Sequence, residues 1–146
     1  MNITLTRSVF EYLVETVGTL PAESGAAIGA AYDRPDLISR VWFDEQAGWG
    51  KRFYTPSQEG LEAAVRQWNQ EGCCFSGIVH RHPDGNSDLS PMDLRAGAAF
   101  MAANALPEIL LGLFHRGELS VYRMTLPGSG DHPHLEQLSV TVISAD

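Results

Sequence analysis

The stretch "CCFSGIVH", residues 73–80, constrains the fold more than any other part of this 146-residue chain. It is apolar or small up to His80, with no alternation that would mark one face for water. A strand of this kind is buried on both faces, so it belongs in the middle of a sheet with a packed layer on each side. The rest of the chain has to supply those layers. At 44% hydrophobic residues, it is rich enough to build one core.

Three segments carry helical periodicity. Phe10, Leu13, Val14 and Val17 recur at i, i+3, i+4, i+7 and predict a helix near 6–17. Thr55-Pro56-Ser57-Gln58 reads as a helix start, with an N-cap and a proline at the first helical position. That helix, near 56–71, shows Leu61, Ala64, Val65 and Trp68 on one face and stops near Gly72. A third, near 91–104, places Leu94, Gly97, Ala98 and Met101 together. Between them, "ESGAAIGAAYD", "DLISRVWFD" and "RFYT" predict an antiparallel meander over residues 23–55. "EILLGLFH" and "ELSVYRMTL" form a hairpin around Arg116-Gly117, and "LEQLSVTVI" reads equally as a last strand or a short helix. The order αβββαβαββ predicts a single α+β domain over residues 1–146, a mixed and mainly antiparallel sheet flanked by helices.

Charge and composition narrow the partners. Ten Lys and Arg against eighteen Asp and Glu give a formal net charge of −8, which argues against nucleic acid. No apolar run reaches the roughly 18 residues a membrane helix needs, and the first residues lack the order of a signal peptide. Cys73 and Cys74 are neighbours, where a disulfide is strained, so two thiols in a reducing cytoplasm are expected.

The chemistry concentrates in "IVHRHPDGNSDLSPMD", residues 78–93. Alternate residues of a strand share a face, so His80 and His82 can converge while Arg81 points away. Pro83 ends the strand, and Ser90-Pro91-Met92-Asp93 starts a helix. As plain structure, Ser90 is an N-cap, Asp93 suits the helix dipole, and Leu89 with Leu94 makes a hydrophobic staple. As chemistry, two imidazoles and one carboxylate leave a fourth position open, the pattern of a catalytic zinc. Fe²⁺ and Mn²⁺ also accept such ligands.

The spacing His80-x-His82-x7-Ser90-x2-Asp93 resembles the JAMM (MPN+) metalloprotease motif, and Glu23 in "PAESGAAIGA" stands where that family has an upstream glutamate. The resemblance covers about residues 5–126 and leaves 127–146 unassigned. Arg81 replaces a serine often found between the histidines, and Ser24 stands where a cysteine is common in bacterial relatives. The likeness implies a JAMM/MPN, cytidine-deaminase-like fold and Zn²⁺ held by His80, His82 and Asp93. It implies Glu23 as the general acid–base and Ser90 as a hydrogen-bond donor to the oxyanion. The reaction implied is hydrolysis of a peptide or isopeptide bond at the C-terminal tail of a ubiquitin-like or sulfur-carrier protein. Two other readings stand beside it: a non-catalytic MPN-type scaffold, and a RadC-like or phage-tail-type domain with another substrate.

A second His-x-His, His132 and His134 with Glu136 nearby, spans a proline in a glycine-bordered loop and reads as surface. His115, at a hairpin turn, reads as solvent-facing. Trp49, flanked by glycines, reads either as a partner contact or as packing on its own hairpin.

Overall fold

The computed structural model describes residues 2–19, 24–44, 58–81, 89, 91–115, 117–126 and 133–144. Its elements are β1 (Asn2–Thr6), α1 (Arg7–Glu15), β2 (Gly25–Ala31), β3 (Leu37–Phe43), α2 (Gln58–Gln70), β4 (Cys73–Arg81), α3 (Pro91–Asn104), β5 (Glu108–His115), β6 (Glu118–Thr125) and β7 (His134–Ile143). The helices fall where the apolar periodicities put them. Thr6 caps α1 by accepting the Val9 N–H at 3.2 Å, and proline opens α3. The expected strand "RFYT" and Trp49 lie outside the described residues.

The strands close on themselves in the order β1-β3-β2-β4-β5-β6-β7. This corrects the expectation of an α+β domain in which a mixed, mainly antiparallel sheet is flanked by helices in the JAMM/MPN, cytidine-deaminase-like arrangement. Among the described residues, the architecture is a closed barrel of seven strands with three short helices. The physical reason lies at the two ends of the chain. Residues 2–6 precede the first amphipathic helix and form a strand, and the stretch that read equally as strand or helix is β7. These two pair in parallel from Asn2↔Ser139 to Thr6↔Ile143. A short parallel contact of β1 with β3, at Thr4↔Leu37 and Leu5↔Ile38, completes the ring.

The central strand reading of residues 73–80 has a clear structural counterpart. β4 pairs antiparallel with β2 and parallel with β5, and its residues 77–80 are all buried. Inside the barrel, Val79 belongs to one buried cluster with Ile3, Leu5, Ala26, Ile28 and Phe114. Outside, Phe75 and Ile78 pack with Leu61 and Trp68 of α2 and Met101 of α3. A bulge makes this possible. Ile28 pairs with Gly77 while Gly29 pairs with Phe75, so Ser76 is an extra residue on β4. Beyond it the alternation reverses, and even-numbered Ile78 and His80 take the helix-covered side.

α3 joins the parallel strands β4 and β5. It starts beside the end of β4 and runs back to the start of β5, packing Gly97 against Leu111 and Met124. Among the described residues, no helix is long and apolar enough to cross a membrane.

Candidate metal site

His80 is the eighth residue of β4 and 4% exposed. Its neighbours in the same cross-strand row are Gly25 on β2 and Leu113 on β5. Asp93, in the first turn of α3, is 9% exposed. Here the positive end of the helix dipole favours a carboxylate. The two elements bring His80 Nε2 to 3.1 Å from Asp93 Oδ1. The sequence places these residues thirteen positions apart, and the fold makes them touch.

Two ligands that share a tetrahedral zinc at 2.0–2.1 Å stand about 3.3 Å apart. The observed separation is close to that, and one imidazole nitrogen with one carboxylate oxygen suits a borderline divalent cation. These are two of the donors that the metal implied by the sequence would need. The other expected site residues, His82, Glu23 and Ser90, lie outside the described residues. Among the described residues, no group of three or more His, Cys, Asp and Glu side chains is arranged to hold a metal ion.

The backbone around the pair is tightly held. The Arg81 N–H donates to Ser24 O at 3.2 Å, and the Asp44 N–H donates to Gly25 O at 3.1 Å. Asp44 is fully buried just past the end of β3. It alternates with Trp42, which packs in the outer layer, so it belongs to the face that carries His80. Gly25 separates the two without a side chain. Ser24 is also fully buried, and its hydroxyl has no hydrogen-bond partner among the described residues. Ser24, Asp44, His80 and Asp93 are four of the five buried polar or charged residues described, and they gather at one end of β2, β3 and β4. The fifth, Thr6, is the cap of α1. Reading the sequence missed Asp44. The available signal was an acid closing "DLISRVWFD", a segment otherwise suited to burial.

Other expected features separate from this cluster. Cys73 and Cys74 are free thiols at the opposite end of β4, about 20 Å from His80 by strand rise. Burial, with a smaller contribution from Cys73, pushes the Cys74 thiol above its ordinary pKa. His134 opens β7 and is exposed, while His132 lies outside the described residues. Glu136 pairs with Arg123 at 3.6 Å, which gives it a place in a surface ion pair. His115 departs from the solvent-facing expectation, because it is half-buried with Nε2 turned away from water. A groove of about 560 Å³ between α2 and α3 is lined by Leu61, Val65, Phe75 and Phe100 and contains none of the clustered polar residues.

No family model matches the sequence, and no curated protein matches it. Among solved structures, the fold is similar to the solution structure of protein DSY2949 from Desulfitobacterium hafniense. The TM-score is 0.68 at 18% sequence identity, over 98% of this chain and 94% of that one. At that identity the likeness concerns the fold alone.

Proposed function

We propose that this chain is a zinc-dependent peptidase or isopeptidase with a JAMM-type ligand set carried on a closed barrel. The observation that carries the proposal is the 3.1 Å approach of buried His80 and Asp93, the first and last residues of the motif. In this reading His80, His82 and Asp93 hold the metal. Bound zinc supplies a Lewis acid and a water activated near neutral pH. Glu23 takes up a proton and returns it to the leaving amine. Ser90 donates a hydrogen bond to the developing oxyanion. The substrate is the extended C-terminal tail of a ubiquitin-like or sulfur-carrier protein, and the setting is the cytoplasm, in keeping with two free thiols.

A second reading draws on the same distance. At 3.1 Å, His80 and Asp93 can also contact each other directly, as a strut that ties α3 to β4 in a non-catalytic scaffold. Hydrolysis separates the two. Fusions bearing a Gly-Gly tail followed by a reporter amine serve as substrates for wild type and Glu23→Gln. The peptidase reading expects cleavage by wild type and a loss of about 10²–10⁴ in rate for Glu23→Gln, with zinc retained. Equal rates for the two proteins contradict it.

A further inference from the structure

The last strand, β7, pairs with different neighbours along its two halves. Residues 134–138 pair antiparallel with residues 121–125 of β6. β1 joins only from Ser139 onward and follows β7 in parallel to Ile143. The ring therefore closes through a staggered seam. Over residues 134–138, no strand among the described residues lies on the side away from β6. A strand edge of this kind presents backbone N–H and C=O groups as a template for another strand.

Charge is the ordinary defence of such an edge, and Glu136 is the one carboxylate in this stretch. Beside it the edge is apolar. Leu135 is 36% exposed, and Leu126, just past the end of β6, is 43% exposed. Met124 pairs with Leu135, and Leu126 alternates with Met124, so both exposed leucines lie on one face. His134 and Glu136 share the opposite face, on either side of Leu135.

Two copies of this edge fit each other best in one register. When a two-fold axis relates antiparallel strands, the residue on the axis meets itself. Glu136 on the axis would set two carboxylates face to face, which destabilises a cross-strand pair. Gln137 on the axis would leave Glu136 opposite Leu138, which offers no donor. Leu135 on the axis removes both conflicts. Leu135 then meets Leu135 of the second copy, and His134 of each copy stands opposite Glu136 of the other. An imidazole N–H donates to a carboxylate, and the two oxygens of Glu136 leave room for its pairing with Arg123. One apolar contact between two reciprocal polar pairs makes the edge self-complementary, as an isologous interface requires.

We propose that the first half of β7 is a self-association edge, where a second copy of this chain pairs antiparallel about Leu135. A pairing this short belongs to the small, transient class of interfaces, so the dimer is weak and depends on concentration. The inference goes beyond the peptidase reading. His134 pairs with Thr125, and Thr125 with Glu108 at the start of β5, whereas His80 pairs with Leu113 near its end. The edge and the metal ligands therefore lie at opposite ends of the barrel.

Sedimentation velocity from about 1 μM to 1 mM, the range of weak association, compares wild type with three variants. Physiological salt screens the repulsion between two chains of net charge −8. Wild type should pass from monomer to dimer as concentration rises. His134→Glu turns both polar pairs repulsive and should weaken the dimer about tenfold. His134→Lys keeps a donor opposite Glu136 and should stay within about threefold of wild type. Leu135→Lys sets two ammonium groups on the axis and should abolish the dimer. Both positions are exposed, so circular dichroism should show one fold throughout. Hydrogen exchange on wild type alone locates the contact. With rising concentration, amides within residues 134–138 should gain protection, while those of 139–143, already beside β1, should not. Wild type that stays monomeric throughout overturns the proposal, whether another protein's strand takes the edge or none does. A dimer left intact by His134→Glu and Leu135→Lys overturns it as well, by placing the contact on another face.

Discussion

The barrel interior and the layer between the sheet and helices α2 and α3 are both packed with aliphatic and aromatic side chains, yet they differ at one end. The interior cluster runs from Ile3 and Leu5 to Phe114 and Val121. The outer layer is apolar around Trp68, Phe75 and Met101 but gives way to His80, Asp93 and Asp44 beyond the end of the strands. Val9 and Leu13 of α1 join the interior cluster with apolar side chains alone. The outer face has a helix terminus, and the start of α3 provides a carboxylate where its dipole favours negative charge. Buried polar chemistry is placed on the side where a second element can complete it.

The bulge at Ser76 connects the two regions, and one glycine from the strand seam and one from the helix layer test the contrast. A Cβ at Gly77 would stand 1.9 Å from Leu110 O, a backbone atom that cannot yield without parting β4 from β5. Gly77→Ala should therefore cost about 4 kcal/mol or more in urea unfolding. Gly97→Ala acts in the helix-covered layer instead. Its Cβ would stand 2.8 Å from Met124 Cε, the mobile end of a flexible side chain, and helix propensity gains about 1 kcal/mol. The net change should fall within about 1 kcal/mol. Similar costs for the two substitutions would break the distinction drawn between a strand seam and a helix seat.

Much of this arrangement could be read from the sequence, and the omissions have causes. Helix periodicity placed α1, α2 and α3, because each buries a face against the sheet. The double-sided burial of residues 73–80 placed β4 in the middle. Closure was invisible, since β1 is five residues long and its partner β7 alternates weakly, with exposed His134 and Leu135 at its start. Neither pattern announces that the chain's two ends pair. Strand period and helix cap led the sequence reading to bring His80, His82 and Asp93 to one metal; of these, His80 and Asp93 stand 3.1 Å apart. The burial of Asp44 and of His115 was not foreseen, because it depends on cross-strand register, which no local pattern contains. His115 read as an exposed turn residue only while β5 lacked its neighbour.

The smallest effect expected concerns the far end of β4. Only the thiolate of a cysteine reacts with alkylating agents, and Cys74 has its pKa raised by burial and then by Cys73. At pH 8 it should label with iodoacetamide more slowly than a free cysteine, and the rate should keep rising at higher pH. The sign for stability follows. The unfolded chain loses this proton first, so the contribution of Cys74 is present below the ordinary thiol pKa and is lost as pH climbs through the raised value. Labelling as fast as an unburied thiol at pH 8 would place Cys74 at an open surface.

Zinc titration tests the central claim most directly. Wild type, His80→Ala and Asp93→Ala, each stripped with chelator and dialysed into metal-free buffer, are titrated with zinc against a competing indicator. About one tight site per chain is expected in wild type, lost in both variants, with the barrel still folded by circular dichroism. Equal zinc binding by wild type and both folded variants would contradict it and leave His80 and Asp93 as a structural tie between β4 and α3.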